Sequence, residues 1–197
     1  MRKRGERNSW LHARRVLPIL VELAKRPLTP EILRVRTGMR DNNYVNFLLR
    51  RLKSEGLVEC LNPQDKVGRV FCIKPGSEAG VEQLFRRASV KQDIPDMPAL
   101  NWRAYGRLLC EYCKQMRMTF LRAHELSLAG KKITMQALRA RLPGVATQDV
   151  FRALGKLVKL GVLSRKPGKP ITFEITDAGR RILGFGSELL LLPAEPI

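Results

Sequence analysis

The chain is poor in the residues that catalytic and covalent chemistry most often use. It holds two histidines, His12 and His124, in unrelated contexts, and only four cysteines. It has no glycine loop of the phosphate-cradling kind and no nucleophile motif, so an enzyme is not expected. Four cysteines are too few for a disulfide scaffold. Cys60 and Cys72 flank one hairpin, where a bridge is one option and reduced thiols the other. Cys110 and Cys113 lie three apart in an expected helix. The spacing does not suit zinc, and neither a metal nor a cofactor is expected. No apolar run approaches the roughly 18 residues that cross a bilayer. The opening Met1-Arg2-Lys3-Arg4-Gly5-Glu6-Arg7 is charged with no apolar stretch behind it, so it does not read as a secretion signal. The expectation is a cytoplasmic protein with no membrane partner.

Acid is scarce as well. Against 18 acidic residues stand 37 basic ones, a formal charge of +19. The excess is spread evenly: 19 basic and 9 acidic residues up to residue 90, then 18 and 9. A basic chain that can also bury a core attracts polyanions, chiefly nucleic acid. Chromosome association is the expected location.

One pattern occurs twice. Residues 49–59 read Leu-Arg-Arg-Leu-Lys-Ser-Glu-Gly-Leu-Val-Glu, and residues 154–164 read Leu-Gly-Lys-Leu-Val-Lys-Leu-Gly-Val-Leu-Ser. Each is the end of an amphipathic helix, a glycine stop and an apolar strand start. A basic turn follows each, then a second strand, Val70-Phe71-Cys72-Ile73 or Thr172-Phe173-Glu174-Ile175. The fold class expected is mainly α with small β-hairpin wings (α+β): two tandem winged helix-turn-helix domains joined by a short linker. Residues 1–9 form a basic arm, 10–89 the first domain, 90–101 the linker, 102–186 the second domain and 187–197 an apolar tail.

Periodicity places helices at Leu11–Lys25, Pro30–Thr37 and Asn42–Ser54, the last two capped by Thr29 and Asp41. Strands at 57–61 and 70–73 and a helix at 78–88 complete the first half. The second half opens on one long helix, Trp102–Ala129. A short helix capped by Thr134 follows, then a helix at 147–160, strands at 162–165 and 171–175, and a closing helix.

The run Asn43 to Ile73, with Glu55-Gly56-Leu57-Val58-Glu59-Cys60-Leu61-Asn62-Pro63 and Gly68-Arg69, resembles prokaryotic winged-helix regulators of archaeal flavour, near the MarR-like and ArsR-like groups. Leu160-Gly161-Val162-Leu163 and Ile175-Thr176-Asp177-Ala178-Gly179-Arg180 resemble a second copy. The resemblance spans about 160 residues. It implies that the third helix of a domain enters the major groove and that the wing touches the flanking backbone.

On the helix at 42–54 the apolar stripe Val45, Leu48, Leu49 and Leu52 leaves Asn42, Asn43, Tyr44, Asn46, Arg50 and Lys53 for DNA. Asparagine pairs with adenine, and arginine with guanine or phosphate. Lys66 and Arg69 sit on the first wing. In the second half the DNA candidates are Arg152 and Lys156 on the helix and Arg165, Lys166 and Lys169 on the wing. Asp149 and Phe151 suit a protein interface better. Arg2, Lys3, Arg4, Arg14 and Arg15 are candidates for backbone or minor-groove contact. The long helix carries more apolar surface than a small domain needs. Leu109, Tyr112, Met116 and Phe120 therefore join Phe151, Leu190 and Leu191 as an expected protein interface, and a homodimer is the expected assembly. Three functions compete: a regulator of transcription reading double-stranded DNA, a nucleoid protein coating DNA, and an adaptor binding a protein partner through the second domain.

Overall fold

The structure, a computed structural model, describes residues 4–190, with side chains over residues 15–190. The chain divides between Pro98 and Ala99 into two units, and each is mainly helical with one small antiparallel sheet.

Unit 1 runs α1 (Arg4–Lys25), α2 (Pro30–Thr37), α3 (Asn42–Ser54), β1 (Val58–Cys60), β2 (Phe71–Ile73) and α4 (Glu78–Arg87). Its caps are side-chain oxygens on orphan helix amides. Thr29 Oγ1 accepts from Ile32 N at 3.5 Å, with Pro30 at the first helical position. Asp41 Oδ1 accepts from Tyr44 N at 2.8 Å. Val45, Leu48, Leu49 and Leu52 of α3 are buried together with Ile19, Leu20 and Leu23 of α1 and Val81 and Phe85 of α4. Each such aliphatic side chain contributes about 1.5–3 kcal/mol by leaving water. α1 begins at Arg4, not Leu11, so residues 4–9 of the expected arm are helical. No proline or turn separates them from the rest, and the apolar periodicity that marks the helix starts later than the helix does.

Unit 2 runs α5 (Trp102–Leu109), a 3-10 turn (Glu111–Cys113), α6 (Lys114–Leu128), β3 (Ile133–Thr134), α7 (Met135–Arg141), α8 (Thr147–Lys159), β4 (Leu163–Lys166), β5 (Thr172–Ile175) and α9 (Asp177–Leu190). The expected long helix is therefore two helices, broken where Cys110 turns extended (φ −68°, ψ 134°). The break lets α5 and α6 bury different faces. Trp102 and Tyr105 of α5 make edge-on ring contacts with Phe185 of α9, at centroid distances of 5.8 and 5.5 Å. α6 packs on α8. The surplus apolar surface is used inside the unit: Leu109, Met116 and Phe120 are buried, as is Leu190. None of these four is free to form an interface, so the apolar surplus no longer speaks for a homodimer. α9 continues through Leu190 over a kink at Gly186, so residues 187–190 are helix and not a separate tail.

The repeat extends further than the sequence pattern suggested. Leu28, Thr29, Leu33, Val45, Leu49, Leu52 and Gly56 recur as Ile133, Thr134, Leu138, Val150, Leu154, Leu157 and Gly161, each 105 positions on. The two threonines cap equivalent helices; Thr134 Oγ1 accepts from Ala137 N at 3.1 Å. A strand segment before each cap was not expected. Leu28 exchanges two backbone hydrogen bonds with Phe71, at 3.0 and 2.9 Å. Ile133 pairs with Phe173 in the sheet order β3-β5-β4. Gly56 and Gly161 end α3 and α8 at φ +74° and +72°, the left-handed region that glycine enters without strain.

One close approach fixes the end of unit 2. A Cβ on Gly179 would lie 2.5 Å from Val162 O and 2.9 Å from Ile175 Cγ2. Thr176 clips the same place, donating from Oγ1 to Gly161 O at 2.6 Å and accepting from Gly179 N at 3.1 Å.

Candidate nucleic-acid interface

The outward face of α3 follows from the helical period. With positions 45, 48, 49 and 52 turned inward, Asn43, Phe47, Arg50 and Ser54 form the opposite stripe, and Lys53 is exposed beside it. Arg50 and Lys53 are in no ion pair among the described residues, whereas Arg51 is held by Glu55 at 3.0 Å. Two bare cations on one face of a capped helix are free to meet phosphate.

The three asparagines are not equivalent. Asn46 Nδ2 donates to Asn42 O at 2.8 Å, so its donor is committed to the helix's own backbone. Asn42 Oδ1 is enclosed without a hydrogen-bond partner. Asn43 alone stands exposed with its amide uncommitted, and Tyr44 is half-buried. Bidentate reading of adenine needs a donor and an acceptor on one amide. Asn43 meets that requirement, and Asn46 meets it only by giving up its backbone bond. Phe47, 56% exposed at the centre of the face, was missed by sequence reasoning. The signal was present: it lies four residues after Asn43 and off the apolar stripe.

The hairpin that follows is built around a buried asparagine. Asn62 Oδ1 accepts from Val70 N at 2.7 Å, and its Nδ2 donates to Gly68 O at 2.9 Å and Asp65 Oδ2 at 3.3 Å. Arg69 Nε donates to Asp65 O at 2.9 Å. This network holds the tip in shape and leaves Lys66 and Arg69 exposed on it. Cys60 lies opposite Phe71, and Cys72 opposite Glu59. Neighbouring registers project to opposite sides of a strand pair, so the two sulfurs face apart. Among the described residues none of the four cysteines is in a disulfide. Burial, with Glu59 beside it, pushes the Cys72 thiol up to about 12.

The corresponding face of unit 2 is different. Asp149 stands in the first turn of α8 and meets Arg152 at 3.5 Å. Lys166 is paired with Glu174 at 3.1 Å. Arg165 and Lys169 remain exposed on the hairpin without ion pairs among the described residues, as does Lys156 on α8. Between α7, α8 and the β4–β5 hairpin opens a groove of about 1050 Å³, floored by Leu142, Leu154 and Val158 and bordered by Phe151 and Ile171. Phe151 is 68% exposed. Among the described residues Arg139, Lys159 and Arg165 line the groove, and no carboxylate does. Tyr112 is exposed on the 3-10 turn, as Phe151 is at the groove, whereas Leu109, Met116, Phe120 and Leu190 are buried.

Among the terminal cations, Arg15 is exposed on α1. Arg4 and Arg14 lie in the same helix with side chains outside the described residues, and Arg2, Lys3 and Leu191 fall outside them altogether. Among the described residues no three of His, Cys, Asp and Glu gather as a metal cage, and no helix is long and apolar enough to cross a membrane. No protein-family model matches the chain, and no curated protein matches it in sequence.

Proposed function

We propose that the chain is a tandem winged helix-turn-helix protein that binds double-stranded DNA, with unit 1 as the reading unit. The observation that carries this is the pairing of α3, whose outer face holds Asn43, Phe47, Arg50 and Lys53, with a hairpin tip bearing Lys66 and Arg69. A helix of 13 residues is about 20 Å long and fits the major groove, which is about 12 Å wide. In that pose Asn43 reads a base edge, Phe47 packs on a thymine methyl, and the cations take phosphate. Selective reading favours a regulator of transcription over a protein that coats DNA, because backbone contact alone would need neither the asparagine nor the aromatic. The high positive charge supplies most of the affinity and a steep salt dependence.

Lysine acetylation of the full chain, mapped with and without a duplex, tests the assignment. Lys53 and Lys66 are expected to be shielded by DNA while Lys91 stays reactive. Shielding confined to Lys159 and Lys169 would move the interface to unit 2 and reject this one.

The groove of unit 2 favours a second role for that unit, as an adaptor for an acidic, apolar peptide segment of a protein partner. Its apolar floor and three unopposed cations are complementary to such a segment and ill suited to a base edge. A synthetic peptide alternating Leu and Glu should bind the wild type and lose about tenfold or more with Phe151→Ala, as for an interface anchor.

A further inference from the structure

Cys110 and Cys113 are used by neither reading. They sit where the chain breaks between α5 and α6, and the break brings them together. Cys113 N donates to Cys110 O at 3.0 Å, closing a four-residue turn. Such a turn holds its end Cα atoms within about 7 Å, the span a disulfide bridges. The Cys110 thiol is the chief influence that favours the Cys113 thiolate. Cys110 is fully buried and Cys113 half-exposed, so outside reagents reach one sulfur and not the other.

Three cations from three helices surround the pair. Arg107 of α5 and Lys156 of α8 act on Cys113, and Arg107 also hydrogen-bonds it. Arg117 of α6 is 5% exposed and in no ion pair among the described residues; it interacts with Glu111, Cys110 and Cys113. A guanidinium taken out of water needs negative charge nearby. Glu111 is the first negative partner of Arg117, and the two thiols follow it, so the cysteine pair lies in the field of a buried guanidinium.

We propose that Cys110 and Cys113 form a reactive thiol pair, with Cys113 the attacking sulfur and Cys110 the resolving one, that exchanges with low-molecular-weight disulfides. In the first step the Cys113 thiolate attacks one sulfur of RS–SR. The Cys113–SR bond forms, the RS–SR bond breaks, and RS⁻ leaves to take a proton from water. In the second step Cys110 gives its proton to water and attacks Cys113 Sγ. The Cys110–Cys113 bond forms and the second RS⁻ leaves. Two protein thiols are oxidised and one disulfide is reduced to two thiols.

The pair is tuned for this. The hydrogen bond from Cys110, then Arg107 and Lys156, outweigh burial and bring the Cys113 thiol down to about 6. Cys113 is therefore largely thiolate at neutral pH, while Cys72 stays protonated.

The test uses the full chain with oxidised glutathione at pH 7, read by peptide mass mapping. The wild type should close a Cys110–Cys113 disulfide. Cys110→Ser should stop at a glutathione adduct on Cys113, and Cys113→Ser should form neither product. Adducts arising on Cys60 as fast as on Cys113, or a wild-type adduct on Cys113 that never resolves, would overturn the proposal. Because Cys110→Ser alters a buried site, wild-type alkylation by iodoacetamide gives a readout that needs no variant. The rate at Cys113 should fall by half near pH 6; a midpoint near the ordinary thiol value of about 8.5 would reject the activated sulfur.

Discussion

Arg50, Lys53 and Lys66 make the salt dependence of DNA binding a quantitative test. All three are exposed, and none has a hydrogen bond or ion pair among the described residues. Replacing them together with alanine should leave folding within about 0.5 kcal/mol for each site. If each neutralises one phosphate, each contributes about 0.9 to the slope of log K against log salt, and the triple variant should be shallower by about 2.7. Across a fourfold rise in salt, the wild type should then lose about fortyfold more affinity than the variant. A second variant, Lys74→Ala with Arg87→Ala and Lys91→Ala, removes three charges outside α3 and the hairpin tip. Anisotropy titrations of a labelled duplex from about 50 to 200 mM salt compare the two. The first variant should be flattened and the second nearly unchanged. Equal flattening by both would mean that net charge, and not this face, holds the DNA, and the proposed interface would be refuted.

Asn43→Ala should relax preference at one base pair, by about 1–3 kcal/mol in a competition assay. Asn46→Ala should move it much less, since that amide is bound to Asn42 O; the reverse order would reverse the assignment. Asn62→Ala leaves the buried amide of Val70 without its acceptor, and should destabilise unit 1 by about 2–4 kcal/mol in urea unfolding. A loss below about 0.5 kcal/mol would show that the network is not what shapes the hairpin. Gly179→Ala forces a Cβ against Val162 O and should lower the melting transition of unit 2 by roughly 10 °C or more, at about 4–8 °C per kcal/mol for a unit of this size. An unshifted Tm would show that α9 moves aside freely.

What was legible in the sequence depended on the kind of signal. α3 was read with its limits because Asp41, the stripe from Val45 to Leu52 and Gly56 all agree on one helix. The break at Cys110 has no proline or glycine to announce it. It comes from tertiary packing, with Trp102 and Tyr105 drawn to Phe185 and α6 drawn to α8. Two-residue strand segments such as Ile133–Thr134 are too short to show a period. The cations of the interface were visible by type and spacing. Which asparagine is free was not, because that turns on a side-chain bond to the preceding turn. The groove of unit 2 was foreshadowed by Phe151 alone, since a concave surface needs three elements to be placed together.

The central claim is that α3 of unit 1 reads double-stranded DNA. Selection of the full chain on a random duplex library at about 0.15 M salt tests it most directly, alongside the Asn43→Ala variant. The account predicts retained duplex, an enriched motif, and loss of information at one position of that motif in the variant. No duplex retained, or the same motif from both proteins, would contradict it.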